Sequence, residues 1–319
     1  MSSREVAAER HVPVLRDRVL ALLAPSLERD GAVYVDFTLG MGGHAQAVLD
    51  AHPGVVVVGI DRDSEALVLA GRRLEAYGDR VHLAHVVHDE VDGVLDGLGI
   101  GAVDAGLFDL GVSSLQLDEA DRGFAYSQEA PLDMRMDQGC GMTAAEVLNT
   151  YQAADLERVL RTHGEERYAR RIAEAVVRER GLEPFTTSGR LVELLRRVIP
   201  VASQRQSGHP AKRTFQALRI EVNDELGAVS RAVPAALERL ALGGRLVVLA
   251  YHSLEDRIVK RAFTAATTST APRGLPVELP EHAPRFRLLV HGSEKASAAE
   301  VAANPRSASV HLRAVERLR

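Results

Sequence analysis

A chain of 319 residues that is 46% hydrophobic can bury a sizeable core, and its length suggests about two domains. Its one cysteine, Cys140, excludes an internal disulfide and a multi-cysteine metal site, and suits a reducing compartment. A net charge of −5 does not mark the whole chain as a nucleic-acid binder. No apolar run approaches the ~18 residues that span a bilayer, and residues 1–10 lack a signal-peptide core. The expectation is a cytoplasmic protein without membrane contact.

Residues 13–27 carry Val14, Leu15, Val19, Leu22 and Leu23 at near-helical spacing, and predict a helix. Residues 33–37 read as a short buried strand. Gly40, Gly42 and Gly43 then allow positive φ and remove the Cβ atoms that would keep a ligand off the backbone. A helix over 44–51 starts there, its free N–H groups suited to an anionic group. Residues 55–60, apolar throughout, predict a strand buried on both faces. Asp61 at its end can accept hydrogen bonds from ribose hydroxyls. Ser64 is the expected cap of a helix over 65–77, and strands follow over 81–87 and 103–111. This alternation implies right-handed βαβ crossovers and a parallel sheet.

After Gly111 the alternation stops. Residues 112–142 are irregular, and 143–199 read almost entirely as helix, with Thr143 and Glu146 as a capping box and Ser188 as a later cap. A polar loop is expected over 201–213, then helix over 214–240 with a break at Pro234. A fifth strand follows over 243–253. Ser253 and Asp256 are the expected capping box of a helix over 254–263. A mobile loop over 264–284 leads to closing strands over 286–290 and 309–318.

Strand, glycine turn, helix, strand and acid describe a nucleoside-cofactor site. Nicotinamide enzymes and S-adenosylmethionine enzymes both use that geometry. A dinucleotide fold repeats its mononucleotide unit after the third strand. Here a helical block, one more strand and a closing pair follow the fourth, which favours a methyltransferase sheet. An NAD-dependent oxidoreductase is the alternative, and a non-catalytic RNA-binding assembly factor a third reading. Asp109 ends the fourth strand, beside the topological switch where ligands bind. Ser113, Ser114 and Gln116 place short polar groups after it, and His252 closes the fifth strand toward the same edge. His82, His85 and His88 alternate faces of a strand, so no metal site is expected. Between Arg158 and Arg219 there are 14 Lys or Arg against 6 Asp or Glu, a basic block suited to phosphate contacts, with Arg205, His209, Lys212 and Arg213 on its loop.

The stretches DFTLGMGGH, GIDRD, FDLGVSSLQLD, RGFAY, PLDMRMD, GEERYARRIA, RTFQALRIEVNDEL, AYHSLEDRIVKR and NPRSAS resemble the successive motifs of the bacterial 16S ribosomal RNA cytosine-N4 methyltransferases, the MraW/RsmH family. The resemblance runs over about residues 11–318. It implies a class I S-adenosylmethionine-dependent methyltransferase (Rossmann-like) α/β sheet with an inserted all-helical domain. Residues 1–117 and 214–319 would form the discontinuous methyltransferase domain, and 118–213 the inserted substrate-recognition domain. It implies S-adenosyl-L-methionine as methyl donor. The partner implied is 16S rRNA in the small ribosomal subunit, with the target a cytosine of the decoding region. Cofactor contacts fall on Gly42, Gly43, His44, Asp61, Asp109 and Gln116. A further contact, usually Phe in the family, falls on His88. Asp109, Ser113, Ser114 and His252 are the catalytic candidates, since a carboxylate or other acceptor on the N4 hydrogens would localise the nitrogen lone pair as the bond forms. The Pro-Pro-Tyr signature of amino-methylating DNA enzymes is absent after Asp109. A homodimer is compatible with the sequence.

Overall fold

The structure is a computed structural model that describes residues 13–207, 209–272 and 279–319. Strands β1 (Val33–Asp36), β2 (Val56–Asp61), β3 (Val81–His85), β4 (Val103–Asp109), β5 (Leu240–Ala250), β6 (Phe286–Leu288) and β7 (His311–Arg317) form one sheet in the order β3-β2-β1-β4-β5-β7-β6. The first five are parallel, and β7 runs antiparallel between β5 and β6. The expected methyltransferase sheet is borne out. A dinucleotide fold would instead have repeated a parallel unit after β3.

The chain separates into two compact units, Met1–Gly111 with Leu226–Arg319, and Val112–Glu225. In the first, alternate strand residues enter two cores on opposite faces of the sheet. Tyr34, Val57, Leu107 and Val247 point into one, with Val19, Leu23 and Val48 from the helices. Val35, Val58, Phe108 and Val248 point into the other, with Val91, Leu95, Val259 and Phe263. Burial on both faces explains the unbroken apolar runs of the central strands. Because β1, β2, β4 and β5 are parallel, their carboxyl ends come out at one edge.

Several local expectations are corrected. Asp63, not Ser64, caps the helix Ser64–Leu74, its Oδ1 accepting from the N–H groups of Glu65 (3.1 Å) and Ala66 (3.4 Å). Ser64 is already inside the helix, while Asp63 is extended, as a capping residue must be. His252 and Glu255, not Ser253 and Asp256, form the capping box of the helix Ser253–Thr267. Asp256 is instead held in a two-pronged pair by Arg313 (2.7 and 2.9 Å). That helix also extends into the segment expected as a loop, of which residues 273–278 lie outside the described residues. The helix Val91–Gly97 has no counterpart in the sequence reading; it buries only Val91 and Leu95, too short a stripe to read as a period.

The second unit is built of helices and loops, as the all-helical reading expects. Thr143 and Glu146 do form their capping box. Ser188 is buried and ties loops instead of capping: its hydroxyl donates to the Gln128 carbonyl (2.7 Å) and accepts from the Ala130 amide (2.9 Å). The expected loop over 201–213 contains the helix Val201–Ser207. The helical run after it breaks at Asp224, left-handed at φ 47°, and not at Pro234, which lies within the helix Glu225–Arg239. The PLDMRMD stretch is a core device. Met134 is fully buried at φ 63°, its carbonyl accepting from Asn223 (2.7 Å), whose side-chain oxygen accepts from the Met136 amide (2.8 Å).

Candidate active site

The glycine turn joins β1 to the helix Gly43–Ala51. Gly42 sits at φ 79°, a left-handed conformation that costs other residues ~1–2 kcal/mol. Gly43 is required by packing: a Cβ there would lie 2.6 Å from Pro13. The turn is held from β2. Asp61 Oδ2 accepts from the Gly40 amide (2.7 Å) and Oδ1 from the Asp63 amide (2.9 Å). A carboxylate has about four lone-pair sites, so both oxygens can still accept from a ligand hydroxyl.

Asp109 ends β4 at the same edge. Its backbone amide donates to Thr38 Oγ1 (2.6 Å), and its carboxylate accepts from the Tyr251 hydroxyl (2.6 Å). His44 Nε2, on the first turn of the glycine-turn helix, lies 3.7 Å from Asp109 Oδ2. Tyr251 is fixed in turn, because its amide donates to Glu255 Oε2 (2.8 Å). His252 is engaged in the cap: its Nδ1 accepts from the Glu255 amide (3.4 Å), and Nε2 lies 3.0 Å from Glu255 Oε1. Asp36, at the end of β1, is buried and accepts from the Tyr34 hydroxyl (3.0 Å) and the Thr38 amide (3.3 Å). Asp36, Thr38, Tyr251 and Glu255 escaped the sequence reading. An acid closing an apolar strand was the available signal for Asp36, as it was for Asp61.

Ser113 and Gln116 belong to the second unit, where they close a reciprocal cap: Ser113 Oγ accepts from the Gln116 amide (3.3 Å), and Gln116 Oε1 from the Ser113 amide (3.0 Å). The Ser114 side chain lies outside the described residues.

Burial pushes the Asp36 carboxyl up to about 7, with Asp109 and Asp61 raising it further and its hydrogen bonds opposing. Burial likewise lifts Asp61 and Asp109 to about 6. Burial and the neighbouring Asp109 hold the Tyr251 hydroxyl protonated, well above its ordinary range, so it stays a donor. Three carboxylates gathered in a poorly solvated edge favour a cationic ligand. His88 is pushed down to about 4 by burial, so its imidazole is neutral. It meets the edge of Phe108 (5.7 Å, 78°), and Phe108 stacks on Phe37 (4.1 Å, 10°). Its Nε2 is buried without a hydrogen-bond partner among the described residues. An unmatched ring nitrogen beside an aromatic stack suits a heterocyclic base. Backbone cradle, acid, cation-favouring edge and unmatched imidazole together fit S-adenosylmethionine. Among the described residues no group of His, Cys, Asp or Glu could hold a metal ion, and no helix is long and apolar enough to cross a membrane.

The basic block is less bare than its count suggests. Arg158, Arg161 and Arg219 pair with Glu221, Glu157 and Glu225, which lie outside the counted stretch. Arg170, Arg190 and Arg197 pair with Glu174, Glu183 and Glu179. His209 stacks on Tyr126 (4.5 Å), Arg213 donates to the Glu165 carbonyl (3.1 Å), and the Arg205 side chain lies outside the described residues. Arg167, Arg171, Arg178, Arg196 and Lys212 remain exposed and without an ion pair among the described residues.

The profile of the MraW methylase family matches residues 8–318. A ribosomal RNA small subunit methyltransferase H from Saccharopolyspora erythraea is 63% identical over 313 residues, 98% of this chain and 95% of that one. The protein of the same name from Nocardioides sp. is 63% identical over 307 residues, 96% of each chain. Among solved structures, an rRNA methylase from Streptococcus thermophilus aligns over 94% of this chain and 93% of its own, at 13% identity and TM-score 0.43. Nothing among these supports the NAD-dependent oxidoreductase alternative. The chain belongs to the MraW methylase family.

Proposed function

We propose that the protein transfers a methyl group from S-adenosylmethionine to the exocyclic N4 of a cytosine in 16S rRNA, in the decoding region of the small ribosomal subunit. The observation that carries the reading is Asp109, partly buried at a strand end, held by Tyr251 and 3.7 Å from a histidine on the glycine-turn helix. The relatives named as small-subunit rRNA methyltransferases supply the substrate class. S-adenosylmethionine supplies a sulfonium methyl already activated for transfer, so the residues' task is mainly positioning. Amides at residues 42–44 hold a carboxylate at the helix start. Asp61 accepts from a ribose diol, and His88 lies against the adenine. Asp109, fixed by Tyr251, accepts an N–H of the cytosine amino group and localises its lone pair. Ser113, Ser114 and Gln116 follow in the chain as further contacts, and His252 holds the turn that presents Tyr251.

The target base must leave its stack to be reached. Residues 118–213 serve as the substrate-recognition insert. The same reading places the protein in the cytoplasm and allows a homodimer, which sedimentation of the free protein tests. The test of function is methyl transfer from labelled S-adenosylmethionine to small subunits lacking the modification, with the product nucleoside identified. N4-methylated cytidine is expected; no label, or label in another nucleoside, overturns the reading.

A further inference from the structure

The helix Ser253–Thr267 buries Leu254, Val259 and Phe263 and turns a different face outward. That outer face carries Arg257, Lys260, Arg261 and Thr264, at the i, i+3, i+4, i+7 spacing of one helical stripe. At its start it floors a first cleft of about 410 Å³, and Arg257 and Lys260 continue from there onto the helix's open outer face with Arg261 and Thr264. Lys295 and His311 reach the first cleft from the far end of the chain, and so does Tyr251, the residue bonded to Asp109. Lys260, Arg261 and Lys295 are exposed and make no ion pair among the described residues. The one carboxylate among the described lining residues, Asp256, is neutralised by Arg313. A chain of net charge −5 has here gathered unneutralised cations from separate segments around a concave surface. Folding does not require them, since the apolar side of the helix is already satisfied. Repulsion among them opposes the arrangement unless an anion is bound.

We infer that this groove holds the phosphate backbone of the RNA strand flanking the target base, on the methyltransferase unit itself. The inference rests on the proposed RNA substrate. Its contribution is a second, local grip beside the reacting edge: Tyr251 touches Asp109 on one side and the groove on the other. Cations at this spacing contact phosphates and read no sequence, so the groove sets where the strand runs and leaves base choice to the pocket.

The test is the triple variant Lys260→Ala, Arg261→Ala, Lys295→Ala in the full-length protein, all three at exposed positions. Binding of a mixed-sequence single-stranded oligoribonucleotide is measured across a salt series, beside methyl transfer to undermethylated small subunits and S-adenosylmethionine calorimetry. The log–log salt slope should fall by about 2, from roughly 0.7 for each of three lost contacts. The RNA Kd should rise at least tenfold, and KM for subunits should rise with kcat nearly unchanged. S-adenosylmethionine affinity should stay at the wild-type value. A variant that methylates and binds RNA as the wild type does, with the same slope, overturns the groove while leaving the functional reading intact. A wild type that neither binds RNA nor methylates subunits overturns both. Loss of binding to anionic phosphatidylglycerol vesicles with RNA affinity unchanged overturns the groove in favour of a membrane surface.

Discussion

The Tyr251 hydroxyl donates to Asp109 across 2.6 Å, joining the residue just beyond β5 to the last residue of β4. The hydrogen bond opposes the upward push of burial on Asp109, which stands at about 6. In the proposed step Asp109 accepts from the substrate amino group most strongly when ionised, so activity should rise with pH through about 6. Tyr251→Phe removes the donor. The acidic limb of the kcat profile should then move to higher pH, and kcat at neutral pH should fall about tenfold, the weight of one hydrogen bond to a charged group. An acidic limb that stays in place would detach Asp109 from the step that limits turnover.

Asp36 makes the free protein less stable at neutral and higher pH. An aspartate in an unfolded chain titrates at about 3.9, and folding lifts Asp36 to about 7. Between those values the native state binds the extra proton, so this contribution is complete below about 4 and is lost as pH rises through about 7. Asp36→Asn keeps the shape without the charge. Its thermal midpoint should exceed that of the wild type at high pH and match it in acid. Scanning calorimetry without ligand at both extremes checks this; equal midpoints in alkali would mean that Asp36 is not a buried charge.

Asp61 braces the glycine turn and, in the proposed site, also holds the cofactor ribose, and its removal should show both. Asp61→Ala should weaken S-adenosylmethionine binding by about 1–3 kcal/mol through lost charge-assisted hydrogen bonds. It should also speed hydrogen exchange at the Gly40 and Asp63 amides, which the carboxylate accepts from in the free protein. Calorimetry and exchange on one preparation separate the two effects. Normal affinity with faster exchange would leave Asp61 as a brace of the turn alone.

On the helical unit, Arg171, Arg196 and Lys212 are three of the exposed cations that make no ion pair among the described residues. Replacing all three with Ala should lower the salt slope of RNA binding by about 2 and raise the apparent KM for subunits. Replacing the paired Arg170 and Arg197 should change the slope far less, because their charges already face Glu174 and Glu179. Equal slopes for the two sets would mean that the distribution of ion pairs does not decide which cations meet phosphate.

The order of strands and helices around the glycine turn was legible along the chain because burial on both faces demands unbroken apolar runs, and turns demand glycine. Val57, Val58 and Gly42 report their positions by residue type alone. The placement of Asp61 and Asp109 was legible for the same reason: an acid is far better tolerated at the end of a buried strand than in its middle. Local periodicity also carried the all-helical unit, and nine motif stretches carried the family. Capping was less legible, since Asp63 and Ser64, or His252 and Ser253, differ by one step of register that the backbone decides. The pairing of Asp109 with Tyr251 lay beyond any local pattern. Those residues are separated by 142 positions and meet only because β4 and β5 lie side by side in the sheet. The charge of the basic block was in part settled in three dimensions, where Glu221 and Glu225 fold back onto Arg158 and Arg219, while Glu157 meets Arg161 one helical turn away. Composition counts charges along the chain, whereas attraction depends on which of them the fold brings within reach.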